Sequence, residues 1–142
     1  MNIVDLKNRI KSIIKFNEKD NFVEIQKVIT RVSKLANNSD LTSDVLSTRD
    51  NVNTKLFEKD CELKVFEFIG QLEKLFSEGY CNYLELLNLF EINIKTIEAL
   101  FDNEKGVLIM SEDLKIRNNR LKLLSLIRNY SLKIADFTLL NS

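Results

Sequence analysis

Two pairs of acidic residues are spaced for chemistry in this chain. Glu58 with Glu62, and Glu98 with Asp102, lie four positions apart. On a helix that spacing sets both carboxylates on one face, and two such pairs facing each other can hold Mg²⁺ through oxygen ligands. Each pair also has a plainer use: Lys55 and Lys59 lie close to the first, and Asp102 opens a turn-rich stretch. Solvated helix faces and turn chemistry therefore account for both pairs, and neither is taken as a metal site.

Other chemistries fail for want of residues. The chain has no histidine, which removes the usual general base, the Ser-His-Asp and Cys-His arrangements, and the histidine-containing zinc and di-iron sites. Its three glycines, Gly70, Gly79 and Gly106, form neither a P-loop nor a dinucleotide fingerprint. Cys61 and Cys81 lie twenty positions apart without a CxxC, which reads as two reduced thiols; a disulfide between them is not required. No catalytic residue and no cofactor is expected, and the chain reads as a non-enzyme.

Two groups remain that could bind. Lys115, Arg117, Arg120, Lys122, Arg128 and Lys133 cluster near the carboxyl end with Asn118, Asn119 and Tyr130, a set able to contact nucleic-acid phosphates or an acidic partner. Against that, the sequence pI is near 6.4, and the charge is partitioned, basic at both ends and acidic between, so the ends can be neutralised internally. Phe66, Phe68, Phe76 and Tyr80 form the aromatic group best suited to a protein partner, since such side chains supply much of an interface's energy.

The elements that must carry these residues are helices. There is no proline, and glycine is scarce, so long stretches contain nothing that forbids the α conformation. Ile3, Leu6, Ile10, Ile13 and Ile14 predict a first helix, and a second, running to about Ala36, is expected to bury Phe22, Ile25, Val28, Ile29, Val32 and Leu35. Residues 41–78 read as one long central helix or two joined end to end. Their first part, rich in Ser, Thr, Asn and Asp, is thinly packed helix or loop. Tyr83, Leu87, Phe90, Ile94, Ile97 and Phe101 step by fours and threes, a helix that wants a long partner or a second copy of itself. A turn at residues 102–106 and a cap at residues 111–113 precede a last helix through Ile116, Leu123, Ile127, Tyr130 and Ile134.

The fold class expected is all-α: an antiparallel bundle of four to five helices with a long central helix and a C-terminal helical hairpin. One domain spans 1–142, with an N-terminal hairpin at 1–40, a weak stretch at 41–57 and the main bundle at 58–142. The longest apolar run is four residues, at 107–110, so no membrane span and no signal peptide is read, and the expected compartment is the cytoplasm of a producing or host cell. The function expected is non-enzymatic binding of a protein partner, as a small inhibitor or immunity-type protein, chaperone or assembly subunit of viral or bacterial origin. The alternative is a nucleic-acid-associated regulator using the basic C-terminal helix.

Overall fold

The computed structural model describes residues 22–78 and 83–134. Among these, four α-helices and two 3₁₀ turns are the regular structure, and there are no strands: α1 (Phe22–Ala36), a 3₁₀ turn (Thr54–Leu56), α2 (Asp60–Ser77), α3 (Tyr83–Glu98), a 3₁₀ turn (Ala99–Phe101) and α4 (Leu114–Leu132). The predicted helix at 3–14, Gly79, Tyr80 and Cys81 lie outside the described residues.

α1 follows from its spacing. Ile25, Ile29, Val32 and Ala36 recur at four, three and four residues and are all buried, while Lys27, Arg31 and Lys34 stay exposed on the opposite side. α2 buries Cys61, Val65, Phe68, Ile69 and Leu72, and α3 buries Leu86, Leu87, Phe90, Ile94 and Ile97. The two stripes meet edge to face at Phe68 and Phe90, whose ring centres lie 5.3 Å apart. At its end α3 tightens into the 3₁₀ turn, and the change of pitch buries Leu100 in place of the expected Phe101, which is half-buried.

The turn at residues 102–106 forms as its sequence requires. Asp102 accepts hydrogen bonds from the backbone N–H of Lys105 (2.8 Å) and Glu104 (3.1 Å). Gly106 is buried against backbone: a Cβ there would fall on the carbonyl oxygen of Asp102 and within 2.5 Å of that of Leu100.

Two expectations are corrected. The long central helix does not run from 41 to 78; α2 starts at Asp60, and residues 41–59 form a strap of extended and turn backbone. The helix at the centre is α4, in which Asn119, Arg120 and Leu121, then every residue from 123 to 127, are buried. Nor do the last two helices find their main partners in each other: α4 lies chiefly on α1 and also on α2, and α3 lies on α2 and α1. The intervening segment at 102–113 is long enough to carry the chain from one packing position to the other.

Candidate nucleic-acid interface

An extended strap outside any sheet leaves backbone groups without ladder partners, and they must find others. The polar side chains of α4 supply them. Asn129 donates through Nδ2 to the carbonyls of Thr42 (2.9 Å) and Val45 (2.7 Å), and the Tyr130 hydroxyl donates to that of Leu46 (2.6 Å). Asn119 pairs with the backbone of Asn53 in both directions, accepting its N–H at 2.8 Å and donating to its carbonyl at 2.9 Å. From α2, Glu73 accepts the N–H of Thr48 at 2.8 Å. Burial pushes the Tyr130 phenol well above its ordinary range, so it remains a donor.

The front of the strap is fixed by charge. Arg120, almost fully buried, reaches Glu58 at 2.7 Å and Glu62 at 3.5 Å and donates to the carbonyl of Leu108 at 2.8 Å. Glu62, fully buried, also accepts the backbone N–H groups of Glu58 (2.9 Å) and Lys59 (3.2 Å) ahead of α2. The Glu58 and Glu62 carboxylates are therefore directed at a guanidinium, which occupies the place a cation would take. Glu98 lies beside Lys95 and Glu24, and Asp102 is committed to its own turn. Among the described residues no three potential ligands gather at one point.

The strap and the amino-terminal half of α4 enclose a groove of about 550 Å³ whose lining includes Lys55, Lys115, Lys122, Asn118 and Asn51. Lys115, Asn118 and Lys122 are three and four positions apart and share one face of α4. Lys55 approaches from the 3₁₀ turn, where the Asn53 side chain accepts its backbone N–H at 3.0 Å. Asp113 caps α4 by accepting from Lys115 (3.0 Å) and Ile116 (3.2 Å). Three lysines face one aspartate, Asp50, which adopts a left-handed φ of 66° at the strap's bend. Such a groove can take phosphate oxygens on its lysines and offer amide groups to sugars or base edges.

The six cations predicted as a contact surface are thus divided. Lys115 and Lys122 line the groove; Arg120 does not, being buried in its ion pairs. Arg128 is half-buried and tied to Asn129 (3.1 Å) and the carbonyl of Leu41 (3.3 Å), and burial lowers its pKa. Arg117 and Lys133 are half-buried outside the groove, the latter beside Asp44. Lys55 was missed by sequence reasoning, since nothing in a Ser/Thr/Asn-rich stretch announces that it will be laid against α4. Of the aromatic group expected at a partner surface, Phe68 is corrected, while Phe66 and Phe76 are half-buried. Phe68 is core, Phe76 packs edge-on to Tyr130 with ring centres 5.5 Å apart, and Phe66 packs on Phe57 at 5.9 Å, because the apolar stripe of α2 faces several neighbours at once.

No protein-family model matches the chain. Its sequence is similar to glycine–tRNA ligase beta subunits. It is 29% identical to that of Gloeothece citriformis over 137 residues, covering 95% of this chain and 19% of the relative. To the one from Acaryochloris marina it is 32% identical over 115 residues (80% and 16%), and to the one from Photorhabdus laumondii 33% over 140 residues (96% and 19%). The chain spans less than a fifth of the length of these curated relatives. These matches overturn the reading as a non-enzymatic inhibitor, immunity protein, chaperone or assembly protein, and the viral association with it: the relatives are bacterial and are subunits of an enzyme. The expectation of a non-enzyme failed for a physical reason. A segment this short beside its relatives need carry none of an enzyme's reacting groups, so absent catalytic residues do not exclude a part in catalysis. No helix among the described residues is long and apolar enough to cross a membrane.

Proposed function

We propose that this chain is a tRNA-contacting helical part of a glycine–tRNA ligase of the kind its relatives' names describe, working in the cytoplasm with a protein partner, since a beta subunit is one chain of several. On this reading it binds and orients tRNA, and the bond-forming groups lie elsewhere. The observation that carries the reading is the convergence of Lys55, Lys115 and Lys122 on a single groove whose wall is held by α4. Ligase relatives supply the class of ligand, and the groove supplies groups suited to its phosphates. A backbone scaffold already held in place brings the three lysines together without first having to be ordered, which favours affinity for a polyanion.

The test is binding of a fluorescent glycine tRNA to the full chain at low salt, read by anisotropy. Replacing Lys55, Lys115 and Lys122 together by alanine is expected to weaken binding about tenfold or more. Replacing Lys64 and Lys74, exposed on α2, should change it about twofold or less. Equal losses from both sets would remove the groove from the account.

A further inference from the structure

A cleft of about 510 Å³ lies between α1 and the segment that joins α3 to α4. Arg31 of α1 and Lys59, just ahead of α2, are the cations among the described residues that line it, and Asn103 adds an amide. Leu108 and Met110 line it too and are exposed, Leu108 by 70%. The guanidinium carbon of Arg31 lies over the Phe101 ring, 4.1 Å from its centre. Asp102 is the one acidic residue among the described lining, and its carboxylate is taken up by the backbone N–H groups of Glu104 and Lys105. The wall is held from behind. The Val107 N–H donates to the carbonyl of Leu100 at 2.9 Å, and the buried Arg120 donates to that of Leu108 at 2.8 Å.

We propose that this cleft takes an unpaired base of the RNA strand whose phosphates lie on Lys55, Lys115 and Lys122, an inference that rests on the tRNA reading above. A nucleobase has apolar faces, a polar edge and an anionic phosphate beside it, and the cleft offers a counterpart to each. Leu108, Met110 and the ring-supported guanidinium of Arg31 suit the faces, since unstacked bases settle on apolar, aromatic and arginine surfaces. The Asn103 amide suits the edge. Lys59 donates one hydrogen bond to the carbonyl of Glu104 at 3.1 Å and has two further N–H donors for a phosphate oxygen. A site for phosphate alone would have no use for exposed Leu108 and Met110. The two sites are also neighbours along the chain. Lys59 follows Lys55 by four positions, a separation of at most about 14 Å even when fully extended, short enough for one strand to touch both.

The experiment compares two fluorescent RNA strands of about twelve nucleotides by anisotropy with the full chain, one of alternating adenylate and cytidylate, which cannot pair with itself, and one of the same length without bases. The wild type is expected to bind the base-bearing strand about tenfold more tightly at the same salt concentration. Arg31→Lys keeps the charge and removes the guanidinium plane, so the preference should fall to about threefold or less while the salt dependence stays the same. Leu108→Ser, at an exposed side chain, should lower the preference in the same way. Replacing Lys55, Lys115 and Lys122 by alanine should weaken both strands alike and leave the preference intact, which separates the cleft from the groove. Thermal melts confirm that each variant is folded. Equal affinity of the wild type for the two strands would overturn the proposal and leave the tRNA reading standing. So would a preference that neither Arg31→Lys nor Leu108→Ser lowers. Failure of the wild type to bind either strand or glycine tRNA at low salt would overturn both.

Discussion

Arg120 shows what a single residue does here. Its spacing in the last helix puts it in an apolar slot, and the structure fills that slot with a guanidinium bound to Glu58, Glu62 and the carbonyl of Leu108. Removing one partner of a buried ion pair leaves the other charge uncompensated, at a cost of about 3–5 kcal/mol. Arg120→Met should therefore destabilise the fold by about that amount in urea unfolding, and adding Glu62→Gln, which removes the stranded charge, should recover part of it. Asp102 gives a pH-dependent counterpart. Backbone N–H groups of Lys105 and Glu104 hold its carboxyl below the usual aspartate range. Its contribution is thus fully present above its unfolded-state pKa and is lost as pH falls through the lower folded one. The stability difference between the wild type and Asp102→Leu should be seen at neutral pH and shrink as the solution is acidified through that window, as thermal melts at several pH values would show. The Asp102 turn was legible in the sequence, and the Arg120 partnership was not. Glu62 and Arg120 are separated by 58 positions, and an i, i+4 acidic pair looks the same whether it faces water, a metal or a buried arginine.

At the scale of elements, the faces of α1 and α3 were readable because a helix that packs on one side writes its period into the sequence. Ile25, Ile29 and Val32, and Leu87, Phe90, Ile94 and Ile97, are buried as spaced. The first part of 41–59 was readable as thinly packed helix or loop, but its course against α4 and the central place of α4 were not. The strap's backbone partners, Asn119, Asn129 and Tyr130, come from 66 to 87 positions away, and the burial of α4 extends beyond its apolar stripe to the polar Asn119, Arg120, Ser125, Asn129 and Ser131. Asn129→Ala would strip the donors from the carbonyls of Thr42 and Val45, each unsatisfied group costing about 1–3 kcal/mol if it stays buried. Faster hydrogen exchange confined to residues 41–53, with α2 and α3 unchanged, is the expected signature; uniform acceleration would show that the strap does not open separately. Gly106→Ala tests the turn between α3 and α4. Because the new Cβ meets backbone rather than a yielding side chain, the turn itself must shift, and a loss of about 1–3 kcal/mol is expected in thermal or urea unfolding.

For the whole molecule, the net charge of zero conceals the feature that matters. Two arginines of the basic carboxyl-terminal segment are spent on the inside, where Arg120 binds carboxylates and Arg128 a backbone carbonyl. Lys115 and Lys122 remain beside Lys55 on a groove whose wall those internal bonds stiffen. The fold thereby separates residues that hold the scaffold from residues left lining a groove, a division that composition averages away. The proposed ligand of that groove is tRNA, on the strength of similarity to ligase beta subunits. The most direct test is the salt dependence of glycine-tRNA binding by the full chain and by the Lys55, Lys115, Lys122 triple alanine variant. The account predicts that the wild-type logarithmic affinity falls linearly with the logarithm of salt concentration, and that the variant's slope is shallower by about two to three, roughly one for each phosphate no longer neutralised by a lysine. Identical slopes, or no binding by the wild type at low salt, would contradict it.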